Sequence, residues 1–193
     1  MTAFSQTWEP IPLVSPDALA AGHRGGEGGQ WPRALAADST GNLVFFGTDV
    51  GGLFRSRDGG RNWEPCNVGY TPRGTACMAV DPGNPSRVLS VGANSVSGTW
   101  HGIWLSRDAG ASWSQAFKAD IGGNQDSREQ LAFDPSTFDV AAQRTKVVYW
   151  SRIAEDKPHW GTPEIHPALY KSEDGGDSWA EIPGTARAGG GIL

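Results

Sequence analysis

An all-β chain built from repeated four-stranded antiparallel units is predicted by three observations. First, an octapeptide Ser-x-Asp-x-Gly-x-x-Trp occurs three times, as SRDGGRNW (56–63), SRDAGASW (106–113) and SEDGGDSW (172–179). Second, each copy is preceded by the same series of apolar runs and turn residues. Third, the 193 residues include 27 Gly and 13 Pro, about a fifth of the chain, which is too many breakers for a helical bundle. The octapeptides recur at intervals of 50 and then 66 residues, from Trp63 to Trp113 to Trp179. Units of four short strands repeated at about that interval are the mark of β-propeller blades. A leucine-rich solenoid needs shorter, Leu-dominated repeats, and an immunoglobulin-like sandwich does not use one turn three times.

Each unit can be read strand by strand. The first strand ends in Ala-x-Asp: Ala36-Ala37-Asp38, Ala79-Val80-Asp81 and Ala132-Phe133-Asp134. The second is an apolar run: Leu43-Val44-Phe45-Phe46, Val88-Leu89-Ser90-Val91 and Val147-Val148-Tyr149-Trp150. The third is Gly52-Leu53-Phe54, Gly102-Ile103-Trp104 and Ala168-Leu169-Tyr170. The octapeptide then turns the chain into the fourth strand.

The turn chemistry explains its fixed residues. Ser56 and Asp58, Ser106 and Asp108, and Ser172 and Asp174 are short polar side chains able to bond the N–H groups of a tight turn. Gly60, Gly110 and Gly176 supply a positive φ. Trp63, Trp113 and Trp179 plug apolar space and need a partner for the indole N–H. Ala109 stands where the other copies have Gly59 and Gly175, so only the second glycine reads as mandatory. A calcium loop needs several more oxygen ligands than this turn supplies.

These readings predict blades over residues 31–68, 75–118 and 129–184. The segment 1–14 reads as a stray outer strand, because Trp8-Glu9-Pro10 repeats Trp63-Glu64-Pro65, and 185–193 reads as the start of a next blade. The expectation is an incomplete ring, either a piece of a longer chain or one of several copies closing a ring together.

Composition excludes some partners. The formal charge of −5 argues against a nucleic-acid backbone. No run approaches the about 18 apolar residues of a membrane helix. The first ten residues have no basic start followed by an apolar stretch, so no signal peptide is expected, although a full-length parent is expected to be secreted. Cys66 and Cys77 read equally as a bridge or as two free thiols. The histidines His23, His101, His159 and His166 fall in no zinc spacing, so no metal or cofactor is expected.

A site is expected where the irregular connections gather. The loops between second and third strands, and those entering first strands, emerge on one face and vary in length. They carry Trp31, Trp100 and Trp160, whose flat faces suit sugar rings, together with His101 and Glu129. Asp49, in Thr48-Asp49-Val50-Gly51-Gly52, would place a carboxylate at the rim of the central channel; a turn aspartate satisfying local N–H groups is the alternative.

The octapeptides resemble Asp-box (BNR) repeats, found in sialidases, sortilin-type receptors and glycoside hydrolase family 74. The order of the other motifs is similar to family 74, the xyloglucanases and related endo-β-glucanases. Thr48-Asp49-Val50-Gly51-Gly52-Leu53-Phe54-Arg55 resembles that family's first-blade Thr-Asp-Ile-Gly-Gly-Ala-Tyr-Arg. Ala79-Val80-Asp81-Pro82 leading to Trp100-His101-Gly102 resembles the second blade, and Glu129-Gln130-Leu131-Ala132-Phe133-Asp134-Pro135 the third. Ser56 and Gln130 depart from the family pattern. The resemblance implies a polysaccharide substrate, a catalytic role for Asp49 as general base, and a second catalytic aspartate outside this chain. It leaves two other readings. One is a non-catalytic, sortilin-like binding propeller. The other is a sialidase, for which Tyr70, Tyr149 and Tyr170 are available, but Arg24, Arg33, Arg55 and Arg128 are not in its pattern.

Overall fold

A computed structural model describes residues 16–20, 31–94, 100–119, 129–152 and 167–185. The segments read above as a stray outer strand and as the start of a next blade lie outside the described residues, apart from Thr185. The described chain opens with one helical turn, α1 (Pro16–Ala20), which adds a short helix to the all-β expectation. Pro16 at its first position and Asp17 in its first turn both suit a helix N-terminus. No helix among the described residues is long and apolar enough to cross a membrane.

Three four-stranded antiparallel sheets follow. The first contains β1 (Pro32–Ala37), β2 (Val44–Thr48), β3 (Leu53–Ser56) and β4 (Glu64–Pro65), in that order across the sheet. The second contains β5 (Gly74–Val80), β6 (Val88–Ala93), β7 (Gly102–Ser106) and β8 (Ser114–Lys118). In the third, β9 (Gln130–Phe133) pairs with β12 (Val148–Arg152), which pairs with β13 (Ala168–Ser172) and then β14 (Ala180–Glu181). Between β9 and β12 the chain makes a 3-10 turn (Pro135–Thr137) and a small hairpin, β10 (Phe138–Asp139) with β11 (Arg144–Thr145).

That hairpin was not expected. The longer third period is explained in part by this insertion, and not only by the loop after β12. The hairpin packs back on the second sheet. The buried Asp81 carboxylate accepts from Thr145 N at 2.8 Å, Thr145 Oγ1 at 2.6 Å and Gly83 N at 2.8 Å. Gly83 lies so close to the Phe138 ring that a Cβ there would overlap it.

Apolar side chains fill the two spaces between sheets. Phe45, Leu53, Tyr70, Val88, Trp104 and Trp113 pack between the first and second. Leu89, Val91, Ile103, Val148, Trp150 and Tyr170 pack between the second and third. Tyr70 sits in the connection between the first two sheets. Its ring meets Trp104 and Trp113 edge-on at 5.4 and 5.6 Å, and its hydroxyl donates to Gly74 O at 3.0 Å. An edge-to-face arrangement places positive ring edge against negative ring face, which adds to the burial term.

The three octapeptides form one hydrogen-bonded turn. Serine Oγ donates to the aspartate at 2.8 Å in every copy and accepts from the N–H of the second glycine position, at 2.8, 2.8 and 2.7 Å. The aspartate also accepts from the backbone N–H of Asn62, Ser112 and Ser178. Two successive residues take positive φ: Gly59 and Gly60, Ala109 and Gly110, Gly175 and Gly176. The first of these positions is therefore as left-handed as the second, and Ala109 tolerates φ 56° despite its Cβ.

The second and third turns each dock on the preceding sheet. A Cβ at Gly110 would lie 2.5 Å from Phe45 Cε1, and one at Gly176 would lie 2.7 Å from Leu89 Cδ2. The backbone therefore presses directly on the second strand of the sheet before it. An arginine of that sheet ties the turn down. Arg55 Nη1 donates to Ala109 O at 2.6 Å, and Arg87 Nε donates to Gly175 O at 2.7 Å. The Trp113 indole adds a bond to Cys66 O at 2.8 Å, whereas Trp63 and Trp179 bond within their own turns.

Two predictions follow from the turn. Ala109→Gly relieves a left-handed alanine and raises unfolding stability by about 1 kcal/mol in urea titration, whereas Gly110→Ala, against Phe45, lowers it by about 2 kcal/mol or more. The second concerns acid. Hydrogen bonds from the Asn62 side chain and backbone and from Ser56 hold the Asp58 carboxyl at about 2. At Asp108 and Asp174 burial pushes upward, but bonds from Ser112 and Ser178 outweigh it and the net direction is down. A depressed folded pKa stabilises above the unfolded value of 3.8 and loses that contribution as pH falls through the folded value. Thermal unfolding followed by circular dichroism is expected to show the midpoint falling between about pH 4 and about pH 2, and a Ser112→Ala, Ser178→Ala chain should lose less over that window.

Candidate functional site

Trp31, Asp49, Asn94, Trp100, His101 and Glu129 all lie at the end of the sheets opposite the octapeptides, where first and third strands begin and second strands end. Asp49 is set by the β2–β3 turn. Thr48 Oγ1 accepts from Gly51 N at 2.7 Å and donates to Gly52 O at 3.2 Å. Gly52 has φ 78° and donates its N–H to Arg73 O at 2.9 Å, which ties the turn to the chain entering β5. Asn67 Oδ1 accepts from Leu53 N at 2.7 Å from the fourth-strand side.

Asp49 itself is held from three directions. Its N–H donates to Trp31 O at 3.1 Å, its Oδ1 accepts from Trp31 N at 3.4 Å, and its carbonyl accepts from Asn94 Nδ2 at 3.0 Å. Gly74, opening β5, approaches the same carbonyl so closely that a Cβ would overlap it. Asp49 is 3% exposed and Trp31 is 48% exposed. The carboxylate is thus nearly enclosed, directly beside an indole that presents its ring to solvent with the Arg33 guanidinium over it at 6.0 Å.

The other candidates are distributed around this pair. Trp100 is half-buried against the core between the first two sheets, and its carbonyl accepts from Trp104 Nε1 at 2.9 Å. His101 is buried, and its carbonyl accepts from Gln115 Nε2 at 3.0 Å. Glu129 is buried at the entry to β9, where Oε2 accepts from Trp150 Nε1 at 2.8 Å. The Trp150 ring stacks on Tyr170 at 5.0 Å, with Arg152 over the far ring at 5.2 Å. Trp160 lies outside the described residues. Hydrogen bonds join Asp49 to Trp31 and Asn94, and Glu129 to Trp150.

Sequence reasoning missed Asn94, Arg33 and Trp150. Asn94 sits at φ 51°, a conformation asparagine tolerates better than most residues. Its place directly after the apolar run of β6 was the available signal. Cys66 and Cys77 are both free thiols. Burial pushes the Cys66 thiol up to about 12, and burial together with the Glu129 carboxylate pushes Cys77 well above its ordinary value. Among the described residues, no group of three His, Cys, Asp or Glu side chains is placed to hold a metal ion.

With this geometry in hand, comparison with known proteins places the chain. No family model matches it. It is 30% identical over 153 residues to a xyloglucanase of a Paenibacillus species, covering 69% of this chain and 13% of that protein. It superimposes on a glycoside hydrolase family 74 enzyme of Niastella koreensis with a TM-score of 0.56 at 20% identity, over 81% of this chain and 23% of that one. It also superimposes on a chain of a nidogen–laminin complex with a TM-score of 0.53 at 14% identity, over 83% of this chain and 50% of that one. The chain is therefore similar in sequence to xyloglucanases of glycoside hydrolase family 74 over part of their length and has a propeller-type fold. It spans between 13% and 22% of the length of the curated relatives it matches.

The close approach at Gly74 yields a prediction for the site. Gly74→Ala must displace the Asp49 carbonyl, so unfolding stability drops by about 2 kcal/mol or more in denaturant titration, while Gly41→Ala, at a left-handed position with open space around it, costs only about 1 kcal/mol.

Proposed function

We propose that the chain forms one wall of the substrate cleft of a glycoside hydrolase acting on β-glucan or xyloglucan-type polysaccharide. The observation that carries this reading is the pairing of a nearly enclosed Asp49 carboxylate with the exposed Trp31 ring, the two residues being joined by one backbone–backbone hydrogen bond and one from the Trp31 N–H to the carboxylate. The sequence similarity to xyloglucanases supports the substrate class.

The chemistry follows from the side chains. An indole plane stacks on the apolar face of a sugar ring, which orients the chain without reading any hydroxyl. Asp49, one residue past the strand end, is the general base that takes a proton from the attacking water. Hydrolysis by paired carboxylates needs a second one to protonate the leaving oxygen, at about 6.5–9.5 Å for inversion of configuration. That partner comes from outside this chain. Trp100, His101 and Glu129 then shape the cleft beside this pair, and Trp160, outside the described residues, is a further candidate sugar platform. A second reading, binding without hydrolysis, is favoured by one feature: Asp49 is 3% exposed and its Oδ1 already accepts from Trp31 N.

Calorimetric titration with a xyloglucan oligosaccharide separates these possibilities. The chain is expected to bind, with Trp31→Ala weakening affinity about tenfold and the isosteric Asp49→Asn leaving it unchanged. No hydrolysis of xyloglucan is expected from this chain alone. In a protein that joins this segment to the second carboxylate, Asp49→Asn lowers kcat with little change in KM. Absence of binding overturns the proposal, as does turnover by this chain alone that survives Asp49→Asn. Unchanged kcat in the joined protein selects the binding-only reading.

A further inference from the structure

Among the described residues, three that are not glycine take a positive φ: Asn94, Ala109 and Gln143. Ala109 belongs to the second octapeptide turn, and Gln143 lies in the turn of the β10–β11 hairpin. Asn94, at φ 51°, is the residue directly after β6. Its side chain reaches out of its own sheet: Nδ2 donates to the Asp49 carbonyl at 3.0 Å. A left-handed residue that carries a Cβ is held against a conformational cost, and such residues gather where geometry serves a ligand or a reacting group.

The acceptor of that bond is met twice by one end of the second sheet. Gly74 pairs with Ala93 in the β5–β6 ladder, and a Cβ at Gly74 would overlap the same Asp49 carbonyl. Asn94 follows Ala93 directly. Close approach at Gly74 limits how near the two sheets come. The Asn94 amide adds direction, because a hydrogen bond fixes the orientation of the peptide group that accepts it. That orientation passes on to Trp31. The Asp49 N–H donates to Trp31 O at 3.1 Å, and the Trp31 N–H donates to Asp49 Oδ1 at 3.4 Å. Trp31 itself is half exposed and belongs to neither core cluster of the described residues, so the backbone, and not packing of its ring, sets where it stands.

We propose that Asn94 is a positioning residue for the Trp31 platform, acting through the Asp49 peptide group and not by contact with the sugar. The proposal rests on the reading above, in which Trp31 stacks on a sugar ring. A side chain of the second sheet thereby sets the pose of a binding residue that enters the first.

The left-handed φ supplies clean variants. Asn94→Gly keeps the backbone conformation, which glycine adopts freely, and removes the amide. Asn94→Asp keeps the shape, but an ionised carboxylate only accepts and cannot donate to the Asp49 carbonyl. Amide hydrogen exchange followed by NMR reads the relay without any ligand. In both variants the Asp49 and Trp31 amides are expected to lose about tenfold in protection, while the amides of β2 and β6 and the urea midpoint stay as in the wild-type chain. Calorimetry with the xyloglucan oligosaccharide is expected to show affinity about fivefold weaker in both. A purely structural amide would instead cost protection throughout both sheets, and that result overturns the proposal. So does unchanged protection of Asp49 and Trp31 in Asn94→Gly, or wild-type affinity in a variant that has lost it. A wild-type chain that binds no oligosaccharide sinks the hydrolase reading, and the exchange result then decides by itself whether Asn94 holds Trp31 in place.

Discussion

The contact on which the rest of this structure depends is made by atoms that are absent. At Gly110 and Gly176 the missing Cβ lets turn backbone lie against Phe45 and Leu89 of the preceding sheet, at a distance that any side chain would prevent. The serine and aspartate of each turn do not cross the junction. They satisfy the turn's own N–H groups and thereby hold two consecutive residues at positive φ, a conformation that leaves backbone polar groups needing partners. The arginines Arg55 and Arg87 then take the outward carbonyls of Ala109 and Gly175. A tight turn, a missing side chain and a guanidinium together fix how far apart neighbouring sheets sit.

That spacing reaches the other end of the sheets through β5. With the octapeptide ends locked, β5 lies between β1 and β9, and its first residue, Gly74, closes on the carbonyl of Asp49. The carboxylate is therefore placed by two sheets at once: its own hairpin supplies the turn, and the second sheet supplies Asn94 and Gly74. A site built this way is rigid where Asp49 sits and variable in the loops around it, the division of labour that suits a cleft whose chemistry is fixed and whose substrate contacts differ.

How far this was legible in the sequence depends on what repeated. The Ser, Asp, Gly and Trp of the octapeptide gave three copies to compare, so the fold class and the strand order could be read directly. Ala109 marked the first glycine position as one that tolerates a side chain, and it does so at φ 56°; side-chain identity reports tolerance, not φ. The longer third period was visible only as sixteen extra residues, and nothing in Phe138 or Arg144 said that a hairpin between β9 and β12 takes part of them. At the site the residue types were legible but their orientation was not. His101 and Glu129 read as loop residues, and both are buried; the partner of the Glu129 carboxylate, Trp150, lies on a strand 21 residues away, which local reading could not supply.

The repeat also separates two kinds of information by position. The invariant residues fold each turn and are the same in all three copies, so they cannot specify which turn meets which sheet. That choice rests on the residues that vary. Arg57, Arg107 and Glu173 occupy one variable position, and Arg61, Ala111 and Asp177 another. Within the chain these positions give one neutral junction and one Arg–Asp junction, the second reinforced by Arg87 and Arg144. At the second junction the choice of neighbour is thus supported by charge at the edge of a contact whose glycine centre is shared with the first. The apolar centre supplies the adhesion and the charged edge supplies the choice, as expected where specificity must come from penalising the wrong neighbour as well as favouring the right one.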